Sequence, residues 1–221
     1  MATPKLRNAQ PDDTANRYLD AAEALFIEFG YEGASIGAIS ARAGMNKATV
    51  VYYWGTKEAL FREVCERRFG PIQAEQMRRL KSCARAPKRS RKAALEDILR
   101  ALVEPPLFMP DERNAETTRL LYGRVLTDPS PTVLKVTAEL FHDASMLLLK
   151  LIRKRLPDLD DEAFYWRYTA ALGAFVFTQG FGERVAYAAE FKGATEFKGL
   201  KMDWRRAADE IVGFMLAGLT R

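Results

Sequence analysis

Apolar positions recur at helical spacing along nearly the whole chain, and no stretch alternates long enough to suggest a strand. Leu19, Ala22, Leu25, Phe26 and Phe29 make one face of a first helix over about 14–29. Ser35 is a good N-cap for a second helix, whose inward stripe is Ile36, Ile39 and Ala43 and which Gly44 ends in the left-handed conformation. Asn46 caps a third, short helix. It buries Val50 and Trp54, one turn apart, and turns Lys47, Thr49, Tyr52 and Tyr53 outward. Thr56 caps a fourth helix that buries Leu60, Phe61 and Val64; Gly70-Pro71 is expected to kink or interrupt it before it resumes through Leu80.

The remainder reads as a basic, poorly patterned loop over 82–91 followed by helical segments at about 93–103, 115–127, 131–156, 162–188 and 203–219. Their breaks are marked by Pro105-Pro106, Asp128-Pro129, Pro157-Asp158 and the glycines of 193–199. The expected architecture is all-α: a polar, disordered arm over 1–13, a compact helical head over 14–64 and a larger helical body over 65–221. The segment 162–188 is apolar on two sides, Phe164, Tyr168, Ala171 and Phe175 on one and Trp166, Ala170, Gly173, Phe177 and Gly180 on the other. Such a helix needs cover from both sides. With Trp204, Ala208, Ile211, Val212, Met215 and Leu219 on the last helix, it suits a four-helix bundle shared between two subunits. Gly173, Phe177, Gly180, Trp204, Ile211 and Met215 are the candidate interface. A core wholly within one protomer is the plainer alternative.

Bulk properties narrow the function classes. Of the 221 residues, 48% are hydrophobic, ample for a core, yet no apolar run approaches the ~18 residues of a membrane span. The opening stretch MATPKLRNAQPDDT lacks an apolar signal-peptide region. Cys65 and Cys83 stand alone, as reduced thiols of a cytoplasmic protein would, and no metal-ligand cluster accompanies them. With one histidine and no GxSxG, P-loop or GxGxxG pattern, the usual catalytic constellations are missing, so no enzyme, metal or cofactor is expected. Lys and Arg outnumber Asp and Glu by 17 to 10 over residues 1–92 and fall short by 17 to 19 over the rest. The basic surplus thus belongs to the half with the short helices, as nucleic-acid binding requires. Much of it lies at 78–92, beyond those helices, where a solvated linker explains it.

Two short helices joined by a glycine turn, the second presenting a cation, hydroxyls and phenols, form a helix-turn-helix suited to duplex DNA. The small Ala48 and Thr49 let the second helix approach base edges, with Thr49 the candidate base contact. Lys47, Tyr52 and Tyr53 suit phosphate oxygens. So do Ser35 and Asn46 at the two helix starts, Thr14 and Arg17 near the start of the first helix, and Lys57 beside the Thr56-capped amides.

Residues 14–64 resemble the N-terminal domain of the tetracycline-repressor (TetR) family of transcriptional regulators. The matching positions are Leu19-Asp20-Ala21-Ala22, Leu25-Phe26, Phe29-Gly30-Tyr31, Ser35-Ile36, Ile39, Arg42-Ala43-Gly44, Lys47, Thr49, Tyr52, Lys57-Glu58 and Leu60-Phe61. Val51, Tyr53 and Trp54 stand where the family usually has tyrosine, histidine and phenylalanine, and Gly37 where a polar or basic residue is frequent. The resemblance implies a homodimer on a palindromic double-stranded operator and a small-molecule pocket in the body whose filling changes the spacing of the two heads. Phe108, Met109, Tyr122, Phe141, Met146, Tyr165, Trp166 and Phe181 are the large side chains available to line it, though each suits plain core as well. Arg119, Arg124 and His142 are the candidate polar anchors, and Tyr165-Trp166-Arg167 with Leu172-Gly173-Ala174 is weakly similar to members that sense acyl compounds. The expected function is a regulator, a repressor by family habit, released by an apolar or amphipathic effector. A structural DNA-binding role without an effector, and a helix-turn-helix that serves a protein partner, are the alternatives.

Overall fold

A computed structural model describes the backbone of residues 11–87, 90–108, 114–191, 199 and 203–220, and the side chains of all of these except 11, 12 and 179–191. Among the described residues there are nine helices and no strand: α1 (Pro11–Gly33), α2 (Ile36–Ala43), α3 (Lys47–Trp54), α4 (Lys57–Arg85), α5 (Arg91–Phe108), α6 (Ala115–Thr127), α7 (Pro131–Arg155), α8 (Asp161–Phe191) and α9 (Trp204–Thr220).

The head is α1–α3 with the first turns of α4. Its core packs Tyr18, Leu25, Phe26, Tyr31, Ile39, Val50, Leu60 and Phe61, all buried. Phe61 meets Phe26 and Tyr31 edge-on, with both ring centroids 5.1 Å away. Each such ring contributes about 1.5–3 kcal/mol of burial. Glu23 is buried beside this core and accepts from Arg67 Nη2 at 2.9 Å and from Arg68 Nε and Nη2 at 2.6 and 2.8 Å, which clamps α1 to α4. Helix α1 begins at Pro11, three residues before Thr14, so residues 11–13 are helical and the arm expected over 1–13 is shorter at its inner end. Phe29, expected inward, is 52% exposed. The chain swings at Gly30 (φ 72°, ψ 177°), which ends the regular path of α1 and reorients Tyr31 into the core.

Two proline-marked breaks are absent. Helix α4 runs unbroken through Gly70-Pro71, because Phe69, Ile72 and Leu80 bury one continuous stripe that outweighs the lost hydrogen bond. It continues to Arg85, through part of the expected loop, and it crosses residue 64, so head and body share it. Helix α5 likewise contains Pro105 and Pro106, both buried near its C-terminal end. Pro106 has no N–H to offer the Leu102 carbonyl one turn back, and that carbonyl accepts from Gln76 Nε2 instead, at 2.7 Å.

In the body, α5 packs against α4, α7 and α9, α4 against α7, and α8 against both α6 and α9. Head and body meet at α1 and α6. There Tyr31 N–H reaches Asp128 Oδ2 at 3.4 Å, and Ser130 Oγ donates to Glu32 Oε1 at 2.8 Å. Ion pairs Lys135–Glu58 and Arg62–Glu139 tie α7 to the start of α4.

Candidate nucleic-acid interface and core cavity

The turn between α2 and α3 is built by caps. Ser35 Oγ accepts from Ala38 N–H at 3.1 Å and Asn46 Oδ1 from Ala48 N–H at 3.0 Å, each relieving one unpaired amide at a helix start. Gly44 takes φ 66°, ψ 37°, and its N–H and that of Met45 close back onto Ala41 and Ser40. Arg17 Nη2 donates to the Ala43 carbonyl at 2.8 Å, and Tyr18 OH donates to the Asn46 carbonyl. Helix α1 thereby holds both sides of the turn.

With Val50 buried, the other side chains of the second half of α3 are open to solvent to different degrees: Tyr52 is 84% exposed, Val51 62% and Tyr53, beside Val50 and packed on Trp54, 37%. Lys47 is exposed too, and its side chain lies back across α2. A Cβ at Gly37 would come within 3.0 Å of Lys47 Cε and 3.1 Å of its Nζ, so the missing side chain makes room for the lysine. Thr49 is only half-buried and sits beside this face, and Thr14 is half-buried in the first turns of α1.

Lys57 behaves otherwise. Its ammonium donates to the Tyr31 carbonyl at 3.0 Å and lies 4.2 Å over that ring, so it supports the head's core instead of projecting from it. Arg17 is similarly occupied with the end of α2, where a cation also meets the negative end of the helix dipole. Val51 is not among the sequence candidates. The signal for it is the Val50-Val51 pair, of which only one member can face inward on a helix.

A cavity of about 120 Å3 lies between α4, α5, α6, α7 and α8. Tyr122 and Phe141 line it, with Leu80, Leu102, Leu126, Leu148, Tyr168, Leu172, Phe175 and Val176. Gln73 and Gln76 are its amides, and neither is among the sequence candidates. A signal for them exists, because Gln76 falls on the buried stripe of Phe69, Ile72 and Leu80 at helical spacing. Burial pushes the Tyr122 phenol up from its ordinary value and Tyr168 up to about 12, so both hydroxyls stay neutral.

The other pocket candidates lie elsewhere. Phe108 is 41% exposed beneath Arg205, and Arg119 stacks 4.2 Å over Trp204. His142, Met146, Tyr165 and Trp166 are on the surface. Arg124 reaches Gly30, where a Cβ would sit 2.5 Å from its Nη2. Met109 and the side chain of Phe181 lie outside the described residues.

Trp166, Gly173 and Phe177 share an exposed face of α8, and nothing lies within 4 Å of a Cβ built at Gly173. On α9, Trp204 and Ile211 are half-buried, whereas Met215 is buried in the protomer's own core and Phe214, one position earlier, is 68% exposed. The outward face of α9 is therefore offset by one residue from the expected one. The surroundings of Gly180 are outside the described residues. Among the described residues no group of three metal-ligating side chains occurs, and no helix is long and apolar enough to cross a membrane.

Two family profiles match the chain: "Bacterial regulatory proteins, tetR family" over residues 19–64 and "Tetracyclin repressor-like, C-terminal domain" over residues 100–218, the second alone more than half of the sequence. No curated protein sequence is significantly similar. Among solved structures, the fatty acid degradation regulator FadR from Bacillus halodurans superposes with a TM-score of 0.61 at 15% identity, covering 97% of this chain and 100% of that one. The TetR family transcriptional regulator PfmR from Thermus thermophilus gives 0.57 at 20% identity, over 93% and 100%. A tetR family regulator from Shewanella sp. PV-4 gives 0.55 at 18%, over 90% and 95%. These identities speak for the fold alone. The two profiles, the helix-turn-helix and the all-α body behind it agree, and the chain belongs to the TetR family of DNA-binding transcriptional regulators.

Proposed function

We propose that this regulator is a homodimer that represses transcription from a palindromic operator and releases it when a small molecule fills the cavity of its body. The observation that carries the DNA half is the outer face of α3, where Val51, Tyr52 and Tyr53 stand in solvent beside Lys47. A protein surface without a partner has no use for three large side chains in a row, whereas a major groove offers thymine methyls to the valine and phosphates to the lysine and phenols. Ser35, Asn46, Thr49 and Thr14 fit supporting roles around that face, and Arg17 and Lys57 act through the fold of the head. Dimerisation uses the exposed faces of α8 and α9 around Gly173, Phe177 and Phe214, and two-fold symmetry then matches two half-sites roughly one helical turn (~10 bp) apart or a multiple of it.

Helix α6 supplies the coupling. Tyr122 and Leu126 on it line the cavity, while Arg124 and Asp128, within one turn, touch Gly30 and Tyr31 of the head. A ligand that shifts α6 therefore tilts the head. A differential affinity of about 1–3 kcal/mol between the two head spacings changes operator affinity 5- to 150-fold. Such a protein is a cytoplasmic, non-enzymatic regulator. The cavity favours an effector-controlled protein over a purely structural one.

Fluorescence anisotropy on DNA from upstream of the coding region, with a scrambled duplex as control and at two salt concentrations, tests the reading. A preference of ~10³ or more for one near-palindrome, weakening with salt, is expected. Weak, equal binding to every duplex, including operators selected from random DNA, would sink it.

A further inference from the structure

The amide pair in the cavity wall has an orientation that the backbone dictates. Pro106 removes one amide hydrogen from α5, and the freed Leu102 carbonyl takes Gln76 Nε2 at 2.7 Å. Gln76 must then turn its Oε1 toward Gln73, which answers with its own Nε2 at 2.8 Å. The relay ends on Gln73 Oε1, which is buried and has no hydrogen-bond partner among the described residues. A buried acceptor left alone carries the full penalty of its desolvation, so the relay holds a standing preference for a donor.

The rest of the wall sets the other properties of a ligand. It is mostly leucine, valine and aromatic carbon, and none of the described residues lining it is Lys, Arg, His, Asp or Glu. A carboxylate entering such a site loses its hydration without gaining a counter-charge, a large penalty. The volume of about 120 Å3 is also small. Engineered core cavities of roughly 150 Å3 hold one benzene ring. The enclosed part of this space matches about one aromatic ring and is short of a whole long acyl chain.

We propose that the cavity takes a neutral, mostly apolar hydroxyl compound of about one aromatic ring, whose O–H donates to Gln73 Oε1, and that it rejects carboxylates. This rests on the effector reading above and narrows it, away from the acyl compounds that the sequence suggested. Gln73 becomes the residue that sets ligand specificity, and Pro106 the residue that orients it from the neighbouring helix.

Isothermal titration calorimetry on the full chain with phenol, toluene and benzoate provides the test, with octanoate as the acyl probe. Phenol is expected to bind about tenfold or more tightly than toluene, the worth of one well-placed hydrogen bond to a buried acceptor. Benzoate and octanoate are expected to bind more weakly than either. Gln73→Leu should bring the phenol-to-toluene ratio close to one while toluene still binds, and Gln73→Met serves if the leucine variant loses its helical circular dichroism. Equal affinities for phenol and toluene, tighter binding of either carboxylate, no binding of any probe, or a ratio that Gln73→Leu leaves unchanged would each overturn the proposal. Operator anisotropy in the same solutions separates this from the regulator reading. Phenol binding that depends on Gln73 but never alters DNA affinity removes the coupling and keeps the ligand class. Operator release by octanoate with no phenol binding keeps the regulator and removes the class.

Discussion

Gly30 carries two demands that no other residue type meets. Its backbone lies at φ 72°, ψ 177°, a region close to glycine-only, and a Cβ there would collide with the Arg124 guanidinium at 2.5 Å. Gly30→Ala is expected to cost about 2 kcal/mol or more of stability in urea unfolding, and to loosen the contact between head and α6. A variant as stable as the parent would show that the swing at residue 30 is adaptable. Cys65 makes a second prediction at this scale. It is buried, desolvation pushes its thiol well above the ordinary value, and only the thiolate reacts. At pH 8 a thiol reagent should modify the half-buried Cys83 first and reach Cys65 only at the rate of unfolding. Rapid labelling of both thiols in the native protein would contradict the packing of α4 against α1.

At the scale of elements, α2 and α3 are readable because their signals are local: a serine or asparagine cap, a glycine stop and an apolar stripe of two or three positions. The same local rules misjudge α4 and α5, where proline reads as a break. The buried stripes on either side of Pro71 and of Pro105-Pro106 decide in favour of one helix. A single-residue rule does not see that, since the stripe's worth depends on what covers it. Lys47 on α3 and Lys57 on α4 look alike in sequence, each just after a helix cap, yet Lys47 is exposed while Lys57 is held by the Tyr31 carbonyl and ring. Lys47→Ala should lower the dependence of log affinity on log salt by about one for each phosphate it neutralises, with little change in thermal stability. Lys57→Ala should do the reverse, lowering the unfolding temperature by removing the bond to Tyr31 and leaving the salt slope intact. Equal salt slopes for both variants would mean that Lys47 serves the fold as Lys57 does.

At the scale of the whole molecule, α8 and α9 each leave a large apolar side chain exposed among the described residues. Phe177 is 52% exposed and Phe214 68%, and glycines at 173, 213 and 218 leave the helix backbones open to close approach. A patch of this kind calls for a partner. Phe214→Glu is expected to convert a dimer to monomers in analytical ultracentrifugation and to weaken operator binding at least tenfold, because each head then binds a half-site alone. A variant that stays dimeric would move the interface away from this end of α9.

From the sequence alone came the all-α class, the helix-turn-helix with its caps and turn, the family resemblance and the outward setting of Lys47, Tyr52 and Tyr53. Most of this follows from caps and periodicities that the chain spells locally, although α1 also holds the turn through Arg17 and Tyr18. What fills the space between helices was decided only in three dimensions. Gln76 met the Leu102 carbonyl across two helices, Lys57 met Tyr31 across 26 positions, and Met215 turned inward while Phe214 turned out. These contacts depend on how helices rotate and approach when their apolar stripes are packed to high density, a collective choice that no single stripe encodes.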